Sequence, residues 1–343
     1  MKGIVCDRVG LLRMRDDLPE PEPKPGEAVV RIRRVGICGT DYHAFAGRQP
    51  YFTYPRILGH ELSGTIEWIG DNEAELSPGD AVGIIPYLHC GTCIACRQGK
   101  TNCCANLRVM GVHVDGGLRE FVSVPVTHLL KADGLSFDQA AMLEPLAIGA
   151  HAVRRSGVGE GQTALVIGAG PIGLGVMVFA KLAGARVLAM DVDSERLAFC
   201  RSWAGVEHAI DAAGLEAPQM VKRLAELTDG EFPTVVIDAT GNARSMTDAF
   251  GYLAHGGTLV YVGLVNGDIA FSHPEFHKRE TTLMGSRNAT REDFDRVLWA
   301  VKRGTVDIDR YITHRAQHDH MIERFAHWLQ PESKVIKAVV EWP

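Results

Sequence analysis

Two patterns of apolar and polar positions divide this chain. Up to about Pro125, glycine and proline close short apolar runs, as at residues 28–35, 62–69 and 121–124, which is typical of short strands. From about Gly149 to Met284, apolar strand-like runs alternate with helical stretches, which indicates a parallel sheet wound on both faces. The sequence therefore predicts an α/β protein with an antiparallel barrel-like domain and a doubly wound domain.

The second half can be divided further. A strand at 163–167, a helix at 174–182 and a strand at 187–190 open it, and later strands are predicted at 234–238, 258–262 and 281–284. From Asn288 the pattern predicts two amphipathic helices and a final strand at 335–340, and we expect this segment to return to the N-terminal domain. The expected domains are therefore 1–148, 149–285 and 286–343.

Charge and composition narrow the class of protein. The 343 residues carry 36 basic and 42 acidic side chains, a net charge of −6. A net negative charge argues against binding to the negatively charged backbone of nucleic acid. No apolar stretch follows a basic start, and no run approaches the roughly 18 apolar residues of a membrane span. We expect a cytoplasmic protein with neither a nucleic-acid nor a membrane partner, and eight cysteines without an evident disulfide pattern agree with a reducing compartment.

One group of metal-binding residue types lies near the N-terminus. Cys38 begins the segment Cys-Gly-Thr-Asp-Tyr-His, and His60-Glu61 follow Gly59. A thiolate, an imidazole and a carboxylate form a ligand set that a catalytic zinc uses when one position stays open. The side chains of adjacent residues such as His60 and Glu61 usually point in different directions unless the backbone turns. Gly59, directly before them, makes such a turn easy.

A run of closely spaced cysteines predicts a second metal site in a lobe at about residues 88–106. Cys90, Cys93 and Cys96 are each separated by two residues, and Cys103 and Cys104 follow. Four thiolates gathered in one loop are typical of a structural zinc, which leaves no position for a substrate. Spacing alone leaves the fourth ligand open between Cys103 and Cys104, and a disulfide lobe is the alternative.

A glycine turn predicts dinucleotide binding. The strand at 163–167 leads into Gly168-Ala169-Gly170-Pro171-Ile172-Gly173, and the strand at 187–190 ends at Asp191. Glycines allow a tight turn and close approach of a pyrophosphate to a helix N-terminus, and an acid about 20 residues on can accept hydrogen bonds from the ribose. Asp191 and Asp193 would repel a 2′-phosphate, whereas Arg196 is a nearby cation that could instead flank the ribose. NAD is therefore favoured over NADP.

These motifs, in this order, resemble the zinc-dependent medium-chain dehydrogenases and reductases, the alcohol and polyol dehydrogenases, over essentially the whole chain. The resemblance implies a GroES-like catalytic domain and a Rossmann domain, with a catalytic and a structural zinc. It implies that Cys38, His60 and Glu61 bind the catalytic zinc, and that Gly168, Gly170, Gly173 and Asp191 contact NAD. We expect further contacts with NAD from Pro171, Ile172 and Arg196. The resemblance selects Cys104 as the fourth ligand of the structural zinc and leaves Cys103 outside the site.

One departure within the superfamily points to a substrate class. The segment Met142-Leu143-Glu144-Pro145-Leu146 resembles the Glu-Pro-Leu of sorbitol dehydrogenases, where simple alcohol dehydrogenases carry a cysteine ligand. Glu144 would then bind zinc directly or through water, and a carboxylate makes the metal site harder. The alternative is a plain acid at a helix start.

The resemblance also assigns the remaining roles. Thr40 would be the first station of a proton relay and His43 its exit base, through the cofactor ribose; the alternative for His43 is an exposed polar residue on a turn. Arg287 resembles an arginine that polyol dehydrogenases place in the substrate cleft, where it could hold a hydroxyl or a carboxylate. A surface arginine is the alternative.

The expected function is oxidation of a secondary hydroxyl of a small polyol, sugar or sugar acid with NAD, by a homotetramer or homodimer. Two alternatives stay open. One is a threonine-type or simple alcohol dehydrogenase of the same fold, and the other is a zinc- and NAD-binding protein without catalytic activity.

Overall fold

The computed structural model describes the backbone of residues 1–343 and every side chain except that of Pro331. Contacts divide the chain into two compact units. Unit one comprises Met1–Pro145 and Thr290–Pro343, and unit two comprises Leu146–Ala289. Of the helices in the described part of the chain, none combines the length and the apolar character that crossing a membrane requires.

Strands of two to eleven residues make up the sheets of both units. In chain order they are β1 (Gly3–Arg8), β2 (Leu11–Arg15), β3 (Glu27–Ile37), β4 (Arg56–Ile57), β5 (Glu61–Ile69), β6 (Ala81–Ile84), β7 (Tyr87–Leu88), β8 (Arg108–Val109), β9 (Phe121–Pro125), β10 (Leu129–Lys131), β11 (Thr163–Ile167), β12 (Arg186–Asp191), β13 (His208–Asp211), β14 (Val235–Asp238), β15 (Thr258–Tyr261), β16 (Thr282–Gly285), β17 (His314–Gln317) and β18 (Ala338–Glu341).

The helices connect and flank these strands. They are α1 (Gly39–Phe45), α2 (Ile94–Arg97), α3 (Phe137–Ala141), α4 (Leu143–Ser156), α5 (Pro171–Leu182), α6 (Ser194–Trp203), α7 (Ala217–Leu227), α8 (Ala243–Asp248), α9 (His273–Lys278), α10 (Arg291–Lys302), α11 (Ile308–Tyr311) and α12 (Met321–Trp328).

Strand β3 organises the main sheet of unit one. It pairs antiparallel with β5 on one side, and on the other with β9 near its start and with β18 near its end. The sheet order β10-β6-β5-β3-β18-β17 therefore joins the last strand of the chain to the N-terminal strands.

Unit two contains a six-stranded sheet in the order β13-β12-β11-β14-β15-β16, in which every pairing is parallel. Buried strand residues such as Leu165, Leu188 and Val236 pack with residues from the helices into one apolar cluster. The doubly wound sheet predicted from the alternating pattern is therefore confirmed, together with the strands predicted around 163–167, 187–190, 234–238, 258–262 and 281–284.

Three local features differ from the predictions. The helix after the glycine turn begins at Pro171 rather than at 174, because proline already has the backbone angle of a first helical residue. The C-terminal segment contains the short α11 besides the two expected helices. The final strand begins at Ala338 rather than at 335, because the N–H groups of Ile336 and Lys337 donate to Thr313 Oγ1, at 3.1 and 3.4 Å, and not to a neighbouring strand.

Candidate active site

The structure of unit one brings Cys38, His60 and Glu61 together. One candidate ligand atom from each lies within 4.8 Å of the other two. Cys38 directly follows β3 and is the N-cap of α1, and Glu61 is the first residue of β5, which pairs with β3. The pairing of two adjacent strands therefore places the two motifs side by side.

Gly59 and Asp41 hold the two motifs in place. Gly59 has a φ of +92°, a conformation that favours glycine, and this confirms the predicted turn before His60. The Asp41 carboxylate is fully buried and accepts hydrogen bonds from the N–H groups of Cys38 at 2.8 Å and Gly59 at 3.2 Å. Sequence reasoning missed this role of Asp41, although its position three residues after the N-cap is the spacing of a capping box.

The surroundings of His60 favour a positive charge. Its Nδ1 lies 3.9 Å from Asp41 Oδ1, and its side chain is buried. Burial alone lowers the pKa of His60, but the Asp41 carboxylate and the Cys38 sulfur outweigh it and raise the pKa well above its usual value. The same anionic groups would favour a metal cation at this position.

Glu61 packs closely against a glycine and forms an ion pair with a lysine. It pairs with Gly36 of β3, where an added Cβ would lie 2.0 Å from Glu61 Oε2, so the close approach depends on glycine. Its Oε1 accepts a hydrogen bond from Lys337 Nζ at 2.6 Å, in an ion pair of two buried side chains. No sequence motif pointed to Lys337.

Glu144 enters the same region from the start of α4. Its side chain is buried, and Tyr87 Oη donates a hydrogen bond to Oε1. Burial, together with the nearby Glu61 carboxylate, raises the pKa of Glu144 to about 7, although His60 and the Tyr87 hydrogen bond act in the opposite direction. These couplings place Glu144 beside the first three residues, although it is not part of their compact group.

These residues fit a zinc ion. Among the described residues, His60 Nδ1, Glu61 Oε2 and Glu144 Oε2 are buried and have no hydrogen-bond partner. Buried polar atoms are paired as a rule, so a cation among these groups would account for the unpaired oxygens. A sulfur, a nitrogen and a carboxylate oxygen are also donors that zinc accepts, and three such protein ligands leave the fourth position for a substrate.

A second group of donors lies in the cysteine lobe. The sulfur atoms of Cys90, Cys93, Cys96 and Cys104 lie within 4.8 Å of one another. The Cys93–Cys96 and Cys90–Cys104 sulfur distances are 3.5 and 3.4 Å, far longer than the roughly 2.05 Å of a disulfide, so the disulfide alternative is wrong. Cys103 is exposed and outside the group, which agrees with Cys104 as the fourth member.

Hydrogen bonds within the lobe favour a thiolate at Cys90. The N–H groups of Cys93 and Cys90 donate to the sulfurs of Cys90 and Cys104 at 3.4 and 3.3 Å. Hydrogen bonds from Thr92, with others from Cys93 and Cys104, lower the pKa of Cys90 to about 5. Thiolates are the form that binds zinc, so the lobe fits a structural zinc site.

The glycine turn of unit two has the geometry expected for a phosphate cradle. Gly168 has a φ of +99°, and an added Cβ at Gly173 would lie 1.8 Å from the Gly168 carbonyl oxygen. An added Cβ at Gly170 would meet only Arg196 Nη1 within 4 Å, at 3.8 Å, which leaves room at the start of α5. Pro171, Ile172 and the glycines therefore present a helix N-terminus, a favourable place for a pyrophosphate.

Asp191 ends β12 beside this turn. Its carboxylate accepts hydrogen bonds from the N–H groups of Ala169 at 2.5 Å and Asp193 at 2.9 Å. Asp193 caps α6, and Arg196 Nε lies 3.9 Å from it. Arg196 therefore lies near both Asp193 and the glycine turn, which is compatible with its predicted contact with the cofactor.

A loop that sequence analysis missed faces the glycine turn. Thr240 follows β14, and its Cγ2 lies 3.2 Å from the position of a Cβ added at Gly168. The buried Asp238 accepts hydrogen bonds from Thr240 Oγ1 at 2.7 Å and Ser245 Oγ at 2.6 Å, which orders the loop. Ligands of doubly wound sheets bind at the carboxyl ends of the strands, where this loop lies.

The remaining candidates occupy separate positions. Thr40 and His43 both lie on α1, which begins directly after Cys38, and the His43 side chain is exposed. Arg287 follows β16 in unit two and is also exposed. The roles of these three residues stay predictions.

Comparisons with known proteins agree with this geometry. Residues 24–134 match the family model described as alcohol dehydrogenase GroES-like domain, and residues 171–303 match the one described as zinc-binding dehydrogenase. The chain is 44% identical over 320 residues to L-galactonate-5-dehydrogenase of Escherichia coli (strain K12), with 93% of both proteins covered. It is 32% identical over 316 residues to D-altritol 5-dehydrogenase of Agrobacterium fabrum, with 90% of both covered.

A solved structure extends the likeness to the whole chain. The alcohol dehydrogenase RspB from Escherichia coli CFT073, complexed with NADH, superimposes with a TM-score of 0.91 at 28% identity. The match covers 100% of this chain and 99% of that chain. Both units therefore have counterparts in one known dehydrogenase.

Proposed function

This chain belongs to the zinc-binding alcohol dehydrogenase family, and from that premise we propose that it oxidises a secondary hydroxyl of a polyol, sugar or sugar acid. The observation that carries this proposal is the compact group of Cys38, His60 and Glu61, in which His60 and Glu61 are buried, with Glu144 beside it. The cofactors are zinc and NAD. The similarity to a galactonate and an altritol dehydrogenase favours an oxygen-rich substrate over a simple alcohol.

The residues of unit one have distinct tasks in this reaction. Zinc, when bound, acts as a Lewis acid that favours ionisation of the substrate hydroxyl, and NAD accepts the hydride. Cys38 and His60 hold the metal, and Asp41 orients both through the Cys38 N–H and its proximity to His60. Glu144, held by Tyr87, directs its other oxygen to the metal region, where it binds directly or through water.

The proton released from the substrate leaves through Thr40 and His43 in this proposal. Although the His43 side chain is exposed, desolvation by neighbouring protein atoms and the nearby Arg48 lower its pKa, so the ring stays neutral, and able to accept a proton, below its usual pKa of about 6.5. We therefore expect the acid limb of the kcat profile to lie below that pH. His43→Asn should lower kcat by about tenfold near neutrality and progressively less at high pH, where solvent accepts the proton.

The measurement is kcat against pH for the wild type and the variant. His320→Asn is the control, because that histidine is exposed and lies on a different segment. If the pH profile of kcat is the same for His43→Asn as for the wild type, His43 is not part of the proton path.

Asp191 selects NAD in this proposal. Asp191→Ser should reduce kcat/KM for NAD by about 10- to 100-fold, because hydrogen bonds from the ribose to a charged acceptor are worth roughly 1.5–3 kcal/mol. The value for NADP should rise, because the carboxylate no longer repels a 2′-phosphate. Asp211→Ser is the matched control, since Asp211 ends the neighbouring strand β13. An unchanged ratio of the two kcat/KM values would contradict this role.

The substrate class is tested by NADH formation with polyols, sugars, aldonates, threonine and simple alcohols, with and without a chelator. We expect the highest kcat/KM on a polyol, a sugar or an aldonate, and loss of turnover with the chelator. A higher value on a primary alcohol, or on threonine, would identify the alternative dehydrogenase. Binding of zinc and NAD without turnover in either direction would identify a non-catalytic protein.

Arg287 is proposed to contact an oxygen or carboxylate of the substrate. If the substrate is an aldonate, Arg287→Ala should raise KM by about 10- to 100-fold with a smaller change in kcat, because an Arg–carboxylate contact is charge-assisted. The matched control is Arg223→Ala on α7, whose guanidinium lies 3.3 Å from Glu226. An unchanged KM across the substrate panel would remove this role from Arg287.

We also propose a cytoplasmic homo-oligomer. None of the eight cysteines forms a disulfide, which suits a reducing compartment. Strand β16 is the edge of the six-stranded sheet and exposes 38% of Leu283, and such an edge is open to pairing with another chain. A molar mass by light scattering of two or four times 37.4 kDa is expected, and a monomeric mass would contradict the proposal.

A further inference from the structure

A buried lysine lies beneath the candidate zinc site. Lys337 precedes β18, is 2% exposed, and donates from Nζ to Glu61 Oε1 at 2.6 Å and to the Ile37 carbonyl oxygen at 3.3 Å. The Lys337 ammonium group and the Glu61 carboxylate form an ion pair of two buried side chains. Lys337 is therefore a cation held beside a metal ligand.

The two oxygens of Glu61 have different surroundings. Oε1 is bound by Lys337, whereas Oε2 is buried and has no hydrogen-bond partner among the described residues. Oε2 lies over Gly36, where an added Cβ would be 2.0 Å away, so the carboxylate has little space in which to turn. The arrangement leaves one oxygen for the lysine and one for a metal.

We propose that Lys337 is a positioning residue that shares Glu61 with the catalytic metal and weakens Glu61 as a ligand. This inference rests on the zinc site of the proposed function. The ammonium group draws charge from the carboxylate and adds a second positive charge near the metal, and both effects reduce the attraction between Glu61 and zinc. A weakened ligand can yield its position when a substrate oxygen arrives.

The test measures zinc release from the wild type and from Lys337→Met, purified with zinc. Methionine keeps the length of the side chain and removes its charge, so Glu61 should bind zinc more firmly and release should slow by about tenfold. Removal of a group that supports a metal ligand usually lowers the metal affinity by about 10- to 100-fold. The effect expected here has the opposite sign. A chromogenic chelator reports the rate.

Two further variants make the rate interpretable. The catalytic and the structural zinc should be released in separate phases. Cys38→Ser should lack the phase of the catalytic zinc, and comparison with the wild type therefore identifies that phase. If the wild type also lacks that phase, the proposed zinc site has failed, and not only the role of Lys337. Lys337→Arg keeps the charge but can bind both carboxylate oxygens, so it should speed release.

The kinetic readout separates positioning from support of the fold. In Lys337→Met we expect kcat to fall although zinc is held longer, because Glu61 yields its position less readily. Faster zinc release in Lys337→Met would show that the lysine only supports the structure, and would overturn the proposal.

A double variant covers the case in which Lys337→Met does not fold. Glu61→Gln with Lys337→Met replaces a buried ion pair by neutral groups of similar size, a change that proteins often tolerate. The proposal requires zinc release at least about tenfold faster than in the wild type, because the carboxylate ligand is lost. Release at the wild-type rate would show that Glu61 is not a ligand and would overturn the proposal.

Discussion

Cys38→Ser is expected to lower kcat/KM by about 10⁴-fold or more and to reduce the zinc content from two ions per chain to one. The thiolate is the only soft donor in the group that Cys38 forms with His60 and Glu61. A serine hydroxyl is neutral at pH 7, so the site loses a full negative charge as well as a ligand. Each tenfold loss of rate corresponds to about 1.4 kcal/mol of transition-state stabilisation. A zinc ion acting as a Lewis acid contributes several kcal/mol to that stabilisation, and the variant loses this contribution.

The matched control for this experiment is Cys103→Ser. Cys103 is exposed and lies outside both groups of candidate ligands, so zinc content and kcat/KM should both stay at wild-type values. Zinc content is measured by elemental analysis and kcat/KM with the best substrate of the panel. A Cys38→Ser variant that keeps two zinc ions and full activity would show that the catalytic metal lies elsewhere.

Cys93→Ser is expected to remove the structural zinc and to lower the melting temperature by about 10 °C or more. The Cys93 sulfur lies 3.5 Å from that of Cys96, and the lobe around them contains the short α2, a 3-10 turn at Thr101–Cys103 and few buried apolar side chains. Its order therefore depends on the metal, because a segment with so little core gains little from hydrophobic burial.

The kinetic outcome of this variant distinguishes the two metals. Molecules of Cys93→Ser that remain folded should keep their catalytic zinc, and kcat/KM per catalytic zinc should stay within about threefold of the wild type. Calorimetry gives the melting temperature, with Cys103→Ser again as the control from the same lobe. An unchanged melting temperature and two bound zinc ions would refute a structural metal held by Cys93.

Much of unit two could be predicted because its strands are visible as short apolar runs in the sequence. The strand before Gly168 and the strand before Asp191 are continuous apolar runs, as strands covered on both faces of a sheet should be. Strand β13 was missed because it is an edge strand that contains His208 and Asp211 among few apolar residues. Only its pairing with β12 makes it a strand, and pairing is not a local property.

The candidate sites show the same division. Cys38, His60 and Glu61 were identified because their residue types and the preceding glycine are adjacent in the chain. Tyr87, which holds Glu144, was missed because 57 residues separate them and tyrosine is a common core residue. The choice between Cys103 and Cys104 could not be made from spacing, and the structure favours Cys104 because its sulfur lies in the group, whereas Cys103 is exposed.

The sequence by itself determined which chemical groups the protein possesses: two sets of zinc-binding donors, a glycine turn and an acid after the following strand. These features depend on residue type and short spacing, which a linear chain records directly. Only the tertiary structure decided that Lys337, 276 residues away, meets Glu61. That contact exists because β18 pairs with β3, and the attraction between the two charges, which offsets the cost of burying them, arises only after the sheet has closed.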